Sequence, residues 1–105
     1  MILSTTPTTE GRPITRYCGV VMAQSVIGAN VLKDFMASLT DFFGGRSRQY
    51  ENVLREGKDN ALRELADQAA QMGASAVVGV KIDVETVGAS GSMLMVVASG
   101  TAVCL

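Results

Sequence analysis

Few side chains in this sequence can do chemistry. Its 105 residues hold two cysteines, Cys18 and Cys104, and no histidine or tryptophan. Without histidine there is no imidazole base, no triad histidine and none of the commonest nitrogen ligand for metals. No Ser or Cys has an imidazole to activate it, so an enzyme is the least favoured class. A thiolate remains a good ligand for soft metals, yet cysteines at opposite ends of the chain are not the close pair of a CxxC chelate. Cys18 stands in the apolar run Tyr17-Cys18-Gly19-Val20-Val21 and reads first as a small buried hydrophobe. It gains weight as a ligand if several copies meet on an axis and form a ring of soft donors. Cys104 is weaker, because the last residues of a chain often fray.

Three other groups deserve a chemical reading. Gly44-Gly45-Arg46-Ser47 precedes a helical pattern. The free backbone N–H groups there, with Gly45, Arg46 and Ser47, would suit a phosphate or carboxylate. The lysine and spacing of a P-loop are missing, and a double glycine is foremost a turn between helices. Met93 and Met95 share a strand face and could offer thioethers, although Met on a strand is mainly packing. Asp83 and Glu85 also share a face, as oxygen ligands or an acid/base pair, but acidic residues there read first as a solvated side.

Positioning these groups falls to a small set of elements. Residues 2–6 are β-prone and end at Pro7, and Gly11 and Pro13 mark a loop. Residues 14–26 read as a strand apolar on both faces, which calls for cover on both. Gly28-Ala29-Asn30 ends it, with Asn30 as helix cap. Val31, Leu32, Phe35, Met36 and Leu39 then form one helical face that extends to Gly44-Gly45, where it stops or bends. Residues 46–72 give the clearest pattern, a helix apolar at Tyr50, Val53, Leu54, Ala61, Leu62, Leu65, Ala69 and Met72. Ser47 could cap its start, and Gly73 is placed to end it in the left-handed conformation. Opposite charges four apart, such as Glu51 with Arg55 and Arg63 with Asp67, line its other side. At 1.5 Å per residue this helix is about 40 Å long, so it overhangs a domain of this size or packs on a neighbour. Residues 74–86 switch to period two, with Val78, Val80, Ile82 and Val84 on one face and Lys81, Asp83 and Glu85 on the other. Gly88-Ala89-Ser90-Gly91 is a hairpin turn. The strand of residues 92–103 follows, with Leu94, Val96, Ala98 and Ala102 on one side.

Composition narrows the partners. Nine Lys+Arg against ten Asp+Glu leave a net charge of −1, which favours neither nucleic acid nor an anionic membrane. An apolar fraction of 48% and a mean hydropathy of +0.28 are those of a folded domain, and no apolar run reaches the ~18 residues of a membrane helix. The N-terminus carries no secretory pattern, so a cytoplasmic protein with reduced thiols is expected.

Several segments together resemble a known family. They are Ser4-Thr5-Thr6-Pro7, Tyr17-Cys18-Gly19-Val20-Val21, Gly28-Ala29-Asn30, Gly44-Gly45-Arg46-Ser47, Tyr50-Glu51 and Gly73-Ala74. Ala76-Val77-Val78-Gly79-Val80, Gly91-Ser92-Met93-Leu94-Met95-Val96 and Ser99-Gly100-Thr101-Ala102-Val103 complete the set. In this order they resemble the YbjQ-like family, small bacterial and archaeal proteins described as heavy-metal-binding domains, over nearly the whole chain. The resemblance implies a dodecin-like β-α-β-β core with extra short strands, assembled as a homopentamer. It brings no ligand set that maps here residue by residue. Cys18 lies within a matching segment and is the soft donor it nominates.

The expectation is a single α+β domain over residues 1–105. An antiparallel sheet of about four strands, in the order β-β-α-α-β-β, packs on one long helix. Its partner is a second copy of itself, in a cytoplasmic homo-oligomeric ring whose cofactor is left open, a soft heavy-metal ion being the one implied. Two alternatives stand beside it. One is a carrier of small organic ligands in pockets between subunits, lined by Met, Phe and the bend at 44–50. The other is a purely structural or partner-binding ring. A weak hydrolase or isomerase using Asp83 or Glu85 comes last.

Overall fold

Four strands and one helix emerge in the computed structural model, which describes residues 1–28, 43–88 and 93–105. They are β1 (Ile2–Leu3), β2 (Arg16–Ile27), α1 (Phe43–Gln71), β3 (Ala76–Val87) and β4 (Met93–Cys104). The helical pattern expected over 31–42, its Asn30 cap and most of the Gly88-Ala89-Ser90-Gly91 turn lie outside the described residues. The sheet order is β1-β3-β4-β2. β3, β4 and β2 run antiparallel as expected. β1 differs, because it joins β3 in parallel, with Ser4 N donating to Val77 O at 2.9 Å and Val80 N to Ser4 O at 3.0 Å.

α1 covers one face of this sheet. Ala61, Leu65 and Ala69 recur every four residues and are fully buried, forming a ridge against Val21, Ala23 and Ile27 of β2 and Val96, Ala98 and Ala102 of β4. The alanines let the helix backbone come close to the strands, while Leu65 and Val96 fill the space between. Burying each of these two larger side chains contributes about 1.5–3 kcal/mol. The alternation in β4 places Leu94, Val96, Ala98 and Ala102 under the helix, as read from the sequence.

β3 departs from its expected single alternation. Its register against β4 shifts between Val78 and Lys81, where Gly79 takes a φ of 61°. A bulge adds one residue to one strand and so exchanges the faces that follow it. Val78 therefore packs with Ala76 and Val103, under Ile2, Ile14 and Leu105, while Val80 and Ile82 join the core beneath α1.

The double glycine does not break α1, which runs through Gly44 and Gly45 from Phe43 to Gln71. Glycine weakens a helix interior by only about 1 kcal/mol, less than a long ladder supplies. Ser47 is consequently inside the helix and does not cap it. With 29 residues α1 is about 43 Å long. The radius of gyration of 16.7 Å and extents of 53 × 27 × 17 Å exceed the roughly 13 Å radius of a compact chain of this length. The overhang expected of the helix is therefore present. The charge ladder on its outer side is a matter of spacing only. Among the described residues the ion pair is Lys81 Nζ to Asp83 Oδ1 at 3.5 Å, and Arg63 donates to Asn60 Oδ1 at 3.4 Å. No helix among the described residues is long and apolar enough to cross a membrane.

Candidate functional site

Antiparallel pairing sets the start of β2 beside the end of β4, with Arg16 opposite Cys104 and Tyr17 opposite Val103. The register then slips between Tyr17 and Gly19, which makes Cys18 the extra residue of a bulge. Gly19 adopts a φ of 139°, where a Cβ is strained, and Cys18 turns onto the core on the helix side. Cys104 continues the row of Ala98 and Ala102 to the end of the same face. The two sulfurs meet at 3.7 Å, and both side chains are half-buried.

Two groups contact this pair. Arg16 Nη2 donates to Cys104 Sγ at 3.3 Å, and Cys104 Sγ donates to the Gly73 carbonyl at 3.3 Å. That carbonyl is placed by the end of α1. Gly73, at a φ of 79°, donates to Ala70 O at 3.0 Å, and Ala74 N donates to Ala69 O at 3.0 Å, the paired bonds of a Schellman stop. The cap read from the sequence is thus formed, and it delivers a carbonyl to the thiol. Met72 lies against the bulge itself, since a Cβ on Gly19 would lie 3.0 Å from its Cε. A side chain at residue 19 would push the thioether away from the bulge.

The end of the chain is held, contrary to the fraying expected of Cys104. Thr15 donates to Cys104 O through N at 2.8 Å and through Oγ1 at 3.1 Å. Ser75 N donates to Val103 O at 2.9 Å, and Leu105 N donates to Ser75 Oγ at 2.9 Å. Both flanks of Cys104 are tied down, which converts a terminal residue into a placed one.

Electrostatically the two thiols differ. The hydrogen bond from Arg16, followed by that from Cys18, holds Cys104 below the ordinary thiol range. Burial, followed by the hydrogen bond to Cys104, pushes Cys18 up. Thiolate is the reactive form, so Cys104 gains it at lower pH and Cys18 only at higher pH. With limiting iodoacetamide, Cys104 is expected to alkylate ahead of Cys18, and Arg16→Met to move the Cys104 reaction to higher pH. Peptide mass mapping across pH 6–10 reads both; equal labelling of the two cysteines at every pH contradicts the assignment.

Chemically, two soft donors at this separation form a chelate. Two thiolates bound at about 2.3 Å to one tetrahedral ion lie roughly 3.75 Å apart, close to the 3.7 Å found. The residues therefore fit a soft metal. Among the described residues no group of three or more His, Cys, Asp or Glu accompanies them. Further donors would come from the Gly73 carbonyl, water or a second chain.

The other residues singled out in the sequence lie elsewhere. Gly45, Arg46 and Ser47 have helical backbone near the start of α1, about 40 Å along the helix from Gly73, and their side chains lie outside those described. Met93 and Met95 occupy the far end of β4 from Cys104. Asp83 faces Lys81 on the sheet side away from the thiols. Arg16 and the Cys18–Cys104 partnership were not read from the sequence.

Two comparisons bear on this site. The family model YbjQ_1, described as "Putative heavy-metal-binding", matches residues 1–105. A crystal structure from Pediococcus pentosaceus, of a protein with unknown function in the family DUF74, superposes with a TM-score of 0.67 at 21% identity. The superposition covers 100% of this chain and 97% of that one, and at this identity it speaks for the fold alone.

Proposed function

This chain belongs to the family of the YbjQ_1 model, and from that premise we propose that Cys18 and Cys104 together take up a soft heavy-metal ion. The observation that carries the reading is the 3.7 Å between their sulfurs, the span of two thiolates on one ion. The ion is cargo. Each thiol gives up its proton on binding, and the Arg16 guanidinium beside Cys104 favours that loss. Thiolate and thioether donors select soft ions over magnesium or calcium. Such a site works where thiols stay reduced, which fits a cytoplasmic setting.

Titration of the reduced, metal-free protein with Cd²⁺ tests this. An ultraviolet thiolate-to-metal band is expected to grow and saturate at one ion per thiol pair, with release of protons and no response to Mg²⁺. A protein with both cysteines alkylated should show neither. Absence of the band, or an equal uptake after alkylation, overturns the proposal.

Assembly into a homo-oligomeric ring, a pentamer by the family resemblance, is part of the same reading. It is supported by the exposed apolar row of Val20, Met22 and Val26 on β2, a strand that among the described residues pairs only with β4. A second copy laid on that row would cover it and could bring further donors to the thiol pair.

A further inference from the structure

We infer that Cys18 and Cys104 are also an oxidation site, at which a hydroperoxide closes the two thiols into a reversible disulfide. The inference needs neither a metal nor an assembly, and stands on how the strands present the sulfurs. At 3.7 Å they are in van der Waals contact, and a bond of about 2.05 Å requires them to close by roughly 1.7 Å. Side-chain rotation with a small backbone adjustment supplies such a movement at these two positions. Cys18 is the bulged residue of β2, free of a ladder partner, and bulges re-aim side chains. Cys104 is the last residue of β4. Both are half-buried, open enough for a small oxidant to reach them, whereas fully buried structural cysteines are inert.

The chemistry balances with hydrogen peroxide as the co-reactant. One sulfur attacks a peroxide oxygen and the O–O bond breaks. That sulfur becomes a sulfenic acid, and the departing oxygen leaves as water with the thiol's proton. The second sulfur attacks the first, the S–O bond breaks and the S–S bond forms, and a second water leaves. Two thiols and one peroxide give one disulfide and two waters. The sulfurs lose two electrons, which the peroxide takes up. The nearby partner is what directs the sulfenic acid to a disulfide before it can be oxidised further.

The test uses the whole chain, reduced and stripped of metal with a chelator, treated with about one equivalent of hydrogen peroxide. Free thiols should fall from two to none, the monomer mass should drop by about 2 Da, and a non-reducing digest should contain the Cys18 and Cys104 peptides joined. Dithiothreitol should restore both thiols. In Cys18→Ser the disulfide cannot form within the chain, and Cys104 should give a sulfenic acid trapped by dimedone in higher yield than in the unsubstituted protein. Thiols that persist, cross-links found only between chains, or sulfinic acid without the joined peptide in the unsubstituted protein would each overturn the inference. Failure of the Cd²⁺ titration leaves this result unaffected, so the two readings fall separately.

Discussion

Cys104→Ala is expected to lower the affinity for Cd²⁺ by more than about 100-fold. Loss of a group that merely supports a ligand costs 10–100-fold, and Cys104 is one of only two sulfur ligands in the proposed site. Cys18→Ala should cost as much, since the remaining sulfur is left alone in either case. The double variant should be little worse than either single one, because a chelate acts as a unit and its members are not additive. Arg16→Gln belongs in the lower range, about 10–100-fold, since it leaves both sulfurs in place and removes the guanidinium 3.3 Å from Cys104. Its loss should shrink as pH rises and the thiol ionises unaided. Ser47→Ala should change nothing, because residue 47 lies near the far end of α1. Competition against a chromophoric chelator measures all five. Retention of affinity within about threefold in Cys104→Ala removes the thiol pair as the site.

What the sequence made legible follows the range of the interactions involved. The C-terminal stop of α1 and the alternation of β4 were readable because their signals are local. Gly73 and Ala74 close the helix by donating to the Ala70 and Ala69 carbonyls, and Leu94, Val96, Ala98 and Ala102 alternate along one strand. Fold class followed from the same patterns. The bulge at Gly79 was not legible, because a residue that exchanges two faces leaves Val78 and Val80 equally apolar. The double glycine misled for a related reason, since a helix weakened at Gly44 and Gly45 can still be carried by its length.

The site itself depended on an interaction that no local pattern encodes. Cys18 stood out as a soft donor, but Cys104 was discounted as a terminal residue. Their meeting rests on β2 lying next to β4 and not next to β1. Once that neighbour relation is given, the start of one strand must face the end of the other, and Arg16, Cys18 and Cys104 follow from the register. The bonds that fix the chain end, from Thr15 and through Ser75, likewise join segments far apart in sequence.

The exposed edge leads to the second large effect, which concerns assembly. Val20, Met22 and Val26 are 77%, 56% and 54% exposed, while their neighbours Val21, Ala23 and Ile27 lie buried under α1. Strand alternation therefore gives β2 two apolar faces, and among the described residues only one of them is covered. The expected result is that the unsubstituted protein has a solution mass several times its 11.0 kDa, whereas Val20→Glu with Met22→Glu has the mass of one chain. Full burial of a Val or Met side chain contributes about 1.5–3 kcal/mol. A glutamate in its place brings a charge that must be desolvated without a partner, and charge on an edge strand opposes strand-to-strand association. The substituted side chains point away from the core beneath α1, so helical circular dichroism should be retained, and a folded single chain distinguishes lost assembly from lost folding. Light scattering over micromolar concentrations reads the outcome. An unsubstituted protein of one-chain mass removes the ring, and a double variant that stays assembled moves the contact to another face. Cd²⁺ uptake by the single-chain variant then decides where the remaining donors originate. Full affinity assigns the site to one chain, with the Gly73 carbonyl beside the thiols, and a loss approaching that of Cys104→Ala assigns a share of it to the neighbouring copy.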